Sequence, residues 1–310
     1  MKKWVLGFSF LLIISIASVY FFIPGTKNES IQSLVTCNDA GVMRIIINEG
    51  KWQTWWPGKK KTDSIYSFKN TTYKIDKVLL NGFDATVYSK ADSIKVNFQV
   101  ISAGMDSSFF IWSFSSDLSA NPFKKLLSYF GQSNIINNIE SLTKEIQKHF
   151  DKEENVYGMK VAMQTVKDST MISLKNSFDH YPNLDEIYTM IKTIKGYIKE
   201  KNSEEADYPM LNIHQEGQGN FETMVAIPTK TPLPSEDKFL VKRMILGNIL
   251  VGEVKGGIAT VIESENLLAN YVTDHKKLSP AIPYQSLVTN RQLETDSTKW
   301  VTRLYYPVFY

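Results

Sequence analysis

The residues able to do chemistry in this chain are few and widely spaced. Its four histidines, His149, His180, His214 and His275, share no spacing that brings imidazoles together around a metal ion. No serine sits in a Gly-x-Ser-x-Gly elbow, and neither a Walker-type phosphate loop nor a dinucleotide fingerprint occurs. Gly217-Gln218-Gly219 reads as a loop between strands. Cys37 is the single cysteine, which rules out an intrachain disulfide. It makes a poor lipidation site, because Thr36 precedes it and it lies far beyond the apolar N-terminal run. Binding chemistry is what remains. Glu265 shares a helical stripe with Ile258, Val261, Leu268 and Val272, where it either faces a groove or borders the polar edge. No catalytic residue, metal or cofactor is expected.

The element that decides where this chemistry happens is the run from Trp4 to Ile23, uncharged over its whole length and entered through Lys2 and Lys3. About 20 apolar residues cross a bilayer core as a helix. A cleaved leader has a shorter core ending in small residues, whereas this run ends in Tyr20, Phe21, Phe22 and Ile23. A retained single-pass signal anchor over residues 1–26 is therefore expected. The lysines stay cytoplasmic, Trp4 and Tyr20 suit the two interfaces, and everything beyond Pro24 lies on the extracytoplasmic side, the periplasm in a bacterium.

Beyond the anchor, the length suggests two domains. Apolar residues make up 43% and charged residues 22% of the chain, which is ordinary globular composition rather than that of a disordered tail. A net charge of +3, with lysines spread over most segments, does not describe a nucleic-acid binder.

Residues 27–152 read as an α+β domain. A strand at Ile31 to Thr36 and a short helical segment lead to the cluster Trp52, Trp55, Trp56 and Pro57. Strand-like runs follow at Tyr66 to Lys77, Asp84 to Lys90 and Ser93 to Ile101, and Phe109 to Ser115 reads as a buried strand around Trp112. Asn121-Pro122 opens a long amphipathic helix with Phe123, Leu126, Leu127, Phe130, Ile135, Ile139, Leu142, Ile146 and Phe150 on one face. This arrangement resembles the START-like helix-grip fold of SRPBCC, or polyketide cyclase-like, proteins. The resemblance implies an apolar ligand between helix and sheet, with Trp112 on its wall. Alternatively, the same aromatic residues simply fill the core.

Asp151 to Asn155 is a polar linker, and residues 156–310 carry an internal echo. Each half runs strand, helix, strand, strand and closes on a strand ending in Pro228 or Pro307. The first helix carries Leu184, Ile187, Ile191, Ile194 and Ile198 behind an Asn183–Glu186 capping box. The second follows Gly256-Gly257. This doubled βαββ pattern resembles the GyrI-like, or AraC effector-binding-like, domain, most specifically at Lys299 to Val308, Val254 to Ile258 and Pro283 to Val288. The resemblance implies a groove for a small organic ligand, ringed by Arg303, Gln285, Tyr305 and Glu265. Relatives often carry an acid where this chain has Arg303, a Glu at Gln285, and tyrosines at Leu287 and Ile258. Arg303 then either favours an anionic, carboxylate-bearing ligand or pairs with a neighbouring acid.

These readings combine into a membrane-tethered, non-enzymatic protein of two α+β domains that binds a small apolar or amphipathic, lipid-like molecule. The alternatives are a hydrolase using the GyrI-like groove and a scaffold with filled pockets. Ligand identity, oligomeric state, the openness of either pocket, any catalytic activity and whether the anchor is cleaved stay open.

Overall fold

The computed structural model describes residues 2–90, 92–131, 134–217, 219–279 and 281–309, with the side chains at 2, 3, 5, 6, 8, 9, 12 and 92 outside the description. The chain divides into two compact units, Met1–Lys152 and Glu153–Tyr310. Both are α+β, each with one antiparallel sheet.

The first unit begins with helix α1 (Lys2–Phe22). Among the described residues no helix is long and apolar enough to cross a membrane. Within the anchor expected over Trp4 to Ile23, the side chains at 5, 6, 8, 9 and 12 lie outside the description. Strand β1 (Thr26–Val35), α2 (Asp39–Ile46), α3 (Trp52–Trp55), β2 (Lys59–Thr62), β3 (Ile65–Phe68), β4 (Thr71–Leu79), β5 (Gly82–Ser89), β6 (Asp92–Ser102) and β7 (Ser108–Asp117) follow. Helices α4 (Pro122–Phe130) and α5 (Asn134–Phe150) close the unit. The sheet order is β1-β7-β6-β5-β4-β3-β2.

Two expectations are corrected here. The run Tyr66 to Lys77 is two strands, folded back at Lys69, whose φ of 51° lies in the left-handed region. The long helix from Asn121 is two helices. At Gly131 the backbone turns extended, with φ −77° and ψ 148°. Only α5 covers the sheet, through Ile135, Ile139, Leu142, Ile146 and Phe150. Phe123, Leu127 and Phe130 of α4 stay exposed instead of joining the core.

Aromatic residues fill the space between α5 and the sheet. Trp52 lies within 5.2 Å, centroid to centroid, of Trp55, Tyr66 and Phe83. It anchors the short helix by donating its indole N–H to Ile46 O at 2.7 Å. Gly58 completes the turn after Trp56-Pro57, because a Cβ there would lie 1.7 Å from the carbonyl oxygen of Ser67.

The second unit contains α6 (Glu154–Tyr157), β8 (Val161–Thr165), β9 (Thr170–Phe178), α7 (Leu184–Glu200), β10 (Met210–Glu216) and β11 (Asn220–Pro228). Its second half has β12 (Leu240–Arg243), β13 (Asn248–Lys255), α8 (Ile258–Asp274), β14 (Tyr284–Leu287) and β15 (Val301–Val308). The order β12-β9-β11-β10-β14-β15-β13-β8 is symmetric about the β10–β14 seam. The first strand of each half is exchanged, since β8 pairs with β13 and β12 with β9. At α7, Asn183 Oδ1 accepts from Glu186 N at 3.0 Å, and Glu186 Oε2 accepts from Asn183 N at 2.8 Å. The expected strand Val241 to Leu246 ends at Arg243, because Met244 to Leu246 belong to the crossing to β13.

These crossings bend the sheet. In a flat sheet β8 and β9 are six strand spacings apart, about 29 Å. The five Cα steps from Thr165 to Thr170 reach at most about 18 Å. The same holds from Arg243 to Asn248. The sheet therefore curls until the two crossings meet, with Val166 N donating to Gly247 O at 2.8 Å and Met244 N to Ser169 O at 3.1 Å. One sheet face packs on α7 through Ile172, Leu174, Leu211, Val225 and Leu287, and on α8 through Leu250, Leu304 and Val308. The alternate residues Ile249, Val251, Tyr284 and Tyr305 meet Val166 and Met244 of the crossings on the other, inner face.

Candidate functional site

The curl leaves a chamber on the inner face, because the crossings span it without filling it. It has a volume of about 350 Å³, and Met171, Met210, Met224, Met244, Ile249 and Tyr284 are among its lining residues. Asn212, Ile282 and Tyr284 also line a second cavity of about 530 Å³, a cleft bordered by His214, Glu222, Glu265 and Tyr305. These three residues form the wall common to both spaces. The short strand β14 begins only at Tyr284, so the sheet has a gap beyond that point, and α8 reaches the cleft through it.

Strand register places Tyr284 opposite Tyr305, and their rings stack at 4.8 Å with an interplanar angle of 9°. Burial holds both hydroxyls above the usual tyrosine range, so the pair stays neutral near pH 7 and presents a flat, polarisable wall. The methionines add unbranched thioethers that adapt to irregular shapes.

The four residues expected around one groove are divided by the sheet. Tyr305 lines the cleft from the inner face. Arg303 shares that face but lines neither cavity. The β13–β15 register sets it opposite Glu253, whose Oε2 accepts from its Nε at 3.1 Å. Arg303 is thus neutralised by a neighbouring acid. Gln285 is buried on the helix face and donates to Glu265 Oε1 at 3.1 Å. Glu265 projects into the cleft, where burial raises its carboxyl above the ordinary range. Trp112 lies in the first unit, buried against Phe83 and Phe98, and lines neither cavity.

Between the start of α7 and strand β15 lies Arg291, a residue with no place among the expected site residues. Arg291 is only 5% exposed. Its Nη2 donates to Thr302 Oγ1 at 2.8 Å, its backbone N–H donates to the Tyr188 hydroxyl at 2.6 Å, and its guanidinium lies 5.2 Å from the Trp300 ring centre. Its Nε has no partner. Burial lowers its basicity, and its charge in turn draws the Glu265 carboxyl back toward the ordinary range. No local pattern marked this loop residue, because its burial comes from strands and a helix distant in sequence.

Two histidines outside both cavities make contacts within the fold. His180 bridges Asp179 and Glu186 at the start of α7, and the His275 ring stacks on Tyr271 at 3.9 Å. Among the described residues no group of three or more His, Cys, Asp or Glu could hold a metal ion. Gln218 of the Gly217–Gly219 loop lies outside the described residues. The geometry sets an apolar pocket beside a cleft that carries Glu265, Asn212 and the two tyrosines.

No protein-family profile and no curated protein matches this sequence. Among solved structures, the chain is similar to the EcmrR C-terminal domain, at 15% identity over 49% of this chain and 98% of that one, with a TM-score of 0.43. SAV2435 bound to tetraphenylphosphonium matches at 15% identity over 49% and 94%, with a TM-score of 0.33. A hydrolase from Listeria innocua matches at 10% identity over 48% and 92%, with a TM-score of 0.38. At these scores each is a general likeness only.

Proposed function

We propose that the second unit binds one small apolar or amphipathic molecule, its body in the methionine-lined chamber and its polar end in the cleft. The supporting observation is the apolar chamber itself, which shares Tyr284 with an adjoining cleft that contains a largely buried carboxyl. Arg303 is paired with Glu253 and Arg243 of the chamber wall with Asp168, while Lys242 also lines the chamber and Arg291 lies beside Glu265. Glu265 meets only the neutral Gln285 side chain directly, which favours a cationic end.

The same reading tethers the chain to a membrane through α1, with both units extracytoplasmic. It rests on the uncharged run Trp4 to Ile23 and on a helix of 21 residues, about 32 Å long. The first unit, START-like in its pattern, serves as a packed platform rather than a second receptor, a reading favoured by the aromatic core around Trp112.

Calorimetry on the detergent-solubilised full chain, with tetraphenylphosphonium and tetraphenylborate as equal-shaped probes of opposite charge, tests the binding reading. The cation should bind more tightly. Ala226→Trp, which fills the chamber, should weaken it at least about tenfold, or 1.4 kcal/mol, while Arg303→Glu should leave anion affinity unchanged. Equal binding by the Ala226→Trp protein would remove the chamber from consideration.

A further inference from the structure

Helix α4 presents an apolar stripe to solvent at the point where α1 ends. Phe123 is 66% exposed, Leu127 73% and Phe130 76%, with Leu126 beside them. At 100° per residue these four fall within an arc of about 100°. Lys125, the buried residue of the helix, points away from that arc, and Lys124 and Ser128 form an exposed polar flank.

The stripe has a defined position relative to α1. The Tyr20 hydroxyl, two residues before the end of α1, donates to Ala120 O at 2.5 Å. The Lys125 ammonium lies 5.3 Å from the Tyr20 ring centre, and Leu118 N donates to Gly25 O at 2.8 Å. The start of α4 is therefore held at the last turn of α1. In an anchor entered through Lys2 and Lys3, Tyr20 sits at the outer interface, and α4 is held at headgroup depth beside it.

From this juxtaposition we infer that α4 is an interfacial helix, seating Phe123, Leu126, Leu127 and Phe130 in the outer leaflet of the bilayer that α1 spans. The inference rests on the tether reading above. It accounts for two features that a core helix does not explain: the break at Gly131, which separates α4 from the face of α5, and the exposure of its large side chains. Such a helix needs an apolar face and a polar one, both present here, and adds to the hold of a first membrane signal. It also fixes the orientation of the first unit against the bilayer, since a second contact beside α1 removes its freedom to swivel.

The test uses the full chain in a Cys37→Ser background, reconstituted into vesicles of phosphatidylcholine and phosphatidylglycerol. An environment-sensitive fluorophore is attached at Leu127→Cys, Phe130→Cys or Ser128→Cys, and lipids carrying a nitroxide near the headgroup act as quenchers. Labels at 127 and 130 should be blue-shifted and quenched severalfold more than the label at 128. Three equally unquenched labels, in a chain that resists alkaline carbonate extraction, would overturn the interfacial helix and leave the tether standing. Extraction of the chain by carbonate would remove the tether and this proposal with it. A blue shift at 127 and 130 that lipid nitroxides do not quench, and that dilution abolishes, would assign the stripe to a second copy of the chain and overturn the proposal. Equal quenching at all three positions would equally overturn it, since α4 would then have no membrane-facing side.

Discussion

Replacing Arg291 tests how charge is balanced beside the cleft. Arg291→Met keeps most of the apolar stem but removes the guanidinium from Trp300 and Thr302. The stacked cation contributes about 1–2 kcal/mol in a desolvated setting, and a charged hydrogen bond contributes roughly 1.5–3 kcal/mol. Against these stands the buried Nε without a partner, whose desolvation costs roughly 1–3 kcal/mol, together with the cost of burying the charge. The terms largely cancel, so Arg291→Met should change stability by no more than about 1 kcal/mol, or about 2–4 °C in Tm for a unit of this size. Arg291→Ala also deletes the stem and should cost about 2–4 kcal/mol. The second readout is Glu265. Without the nearby cation its carboxyl should rise further, so the loss of tetraphenylphosphonium binding on acidification should begin at higher pH in Arg291→Met. Thermal unfolding by circular dichroism and calorimetry across pH measure both effects. A loss above 3 kcal/mol for Arg291→Met would show that the guanidinium is a strong net stabiliser. An unshifted binding profile would separate Arg291 from the site.

Two further substitutions probe the parts. Glu265 has a folded-state pKa raised above its reference of 4.5, so the stability associated with its protonated form is complete below 4.5 and is lost as pH rises through the higher folded value. Glu265→Gln should therefore match the parent in Tm near pH 4, exceed it near pH 7, and weaken binding of the cationic probe; a constant Tm difference across pH would contradict this. Gly58→Ala should destabilise the first unit by roughly 2–3 kcal/mol, because its Cβ meets the backbone oxygen of Ser67 rather than a movable side chain. A normal urea midpoint would show that this turn relaxes freely.

Much of the fold was legible because periodicity reports burial. The stripe Ile187, Ile191, Ile194 and Ile198 and its Asn183 cap formed the helix they describe, since i, i+3 and i+4 side chains share one face whatever the partner. The strand around Trp112 was readable as an apolar run bounded by polar residues, and the second unit as a doubled order of strand and helix signals. The stripe of α4 shows the limit of this reasoning. Its spacing is as regular as that of α5, yet its apolar face is exposed, because periodicity identifies an apolar face and not what covers it.

The sequence by itself determined most of the local elements, the scarcity of reactive groups and the uncharged N-terminal run. These follow from residue type and short-range spacing. Only the tertiary structure decided that the strands of the second unit cross between halves, since this depends on which edges meet rather than on any one segment. It paired Arg303 with Glu253, 50 residues away, through the β13–β15 register. It buried Arg291 against Tyr188, Thr302 and Trp300. It also set the candidate site on the inner face of the sheet, because a connection too short for a flat sheet forces the curl that shapes this apolar pocket.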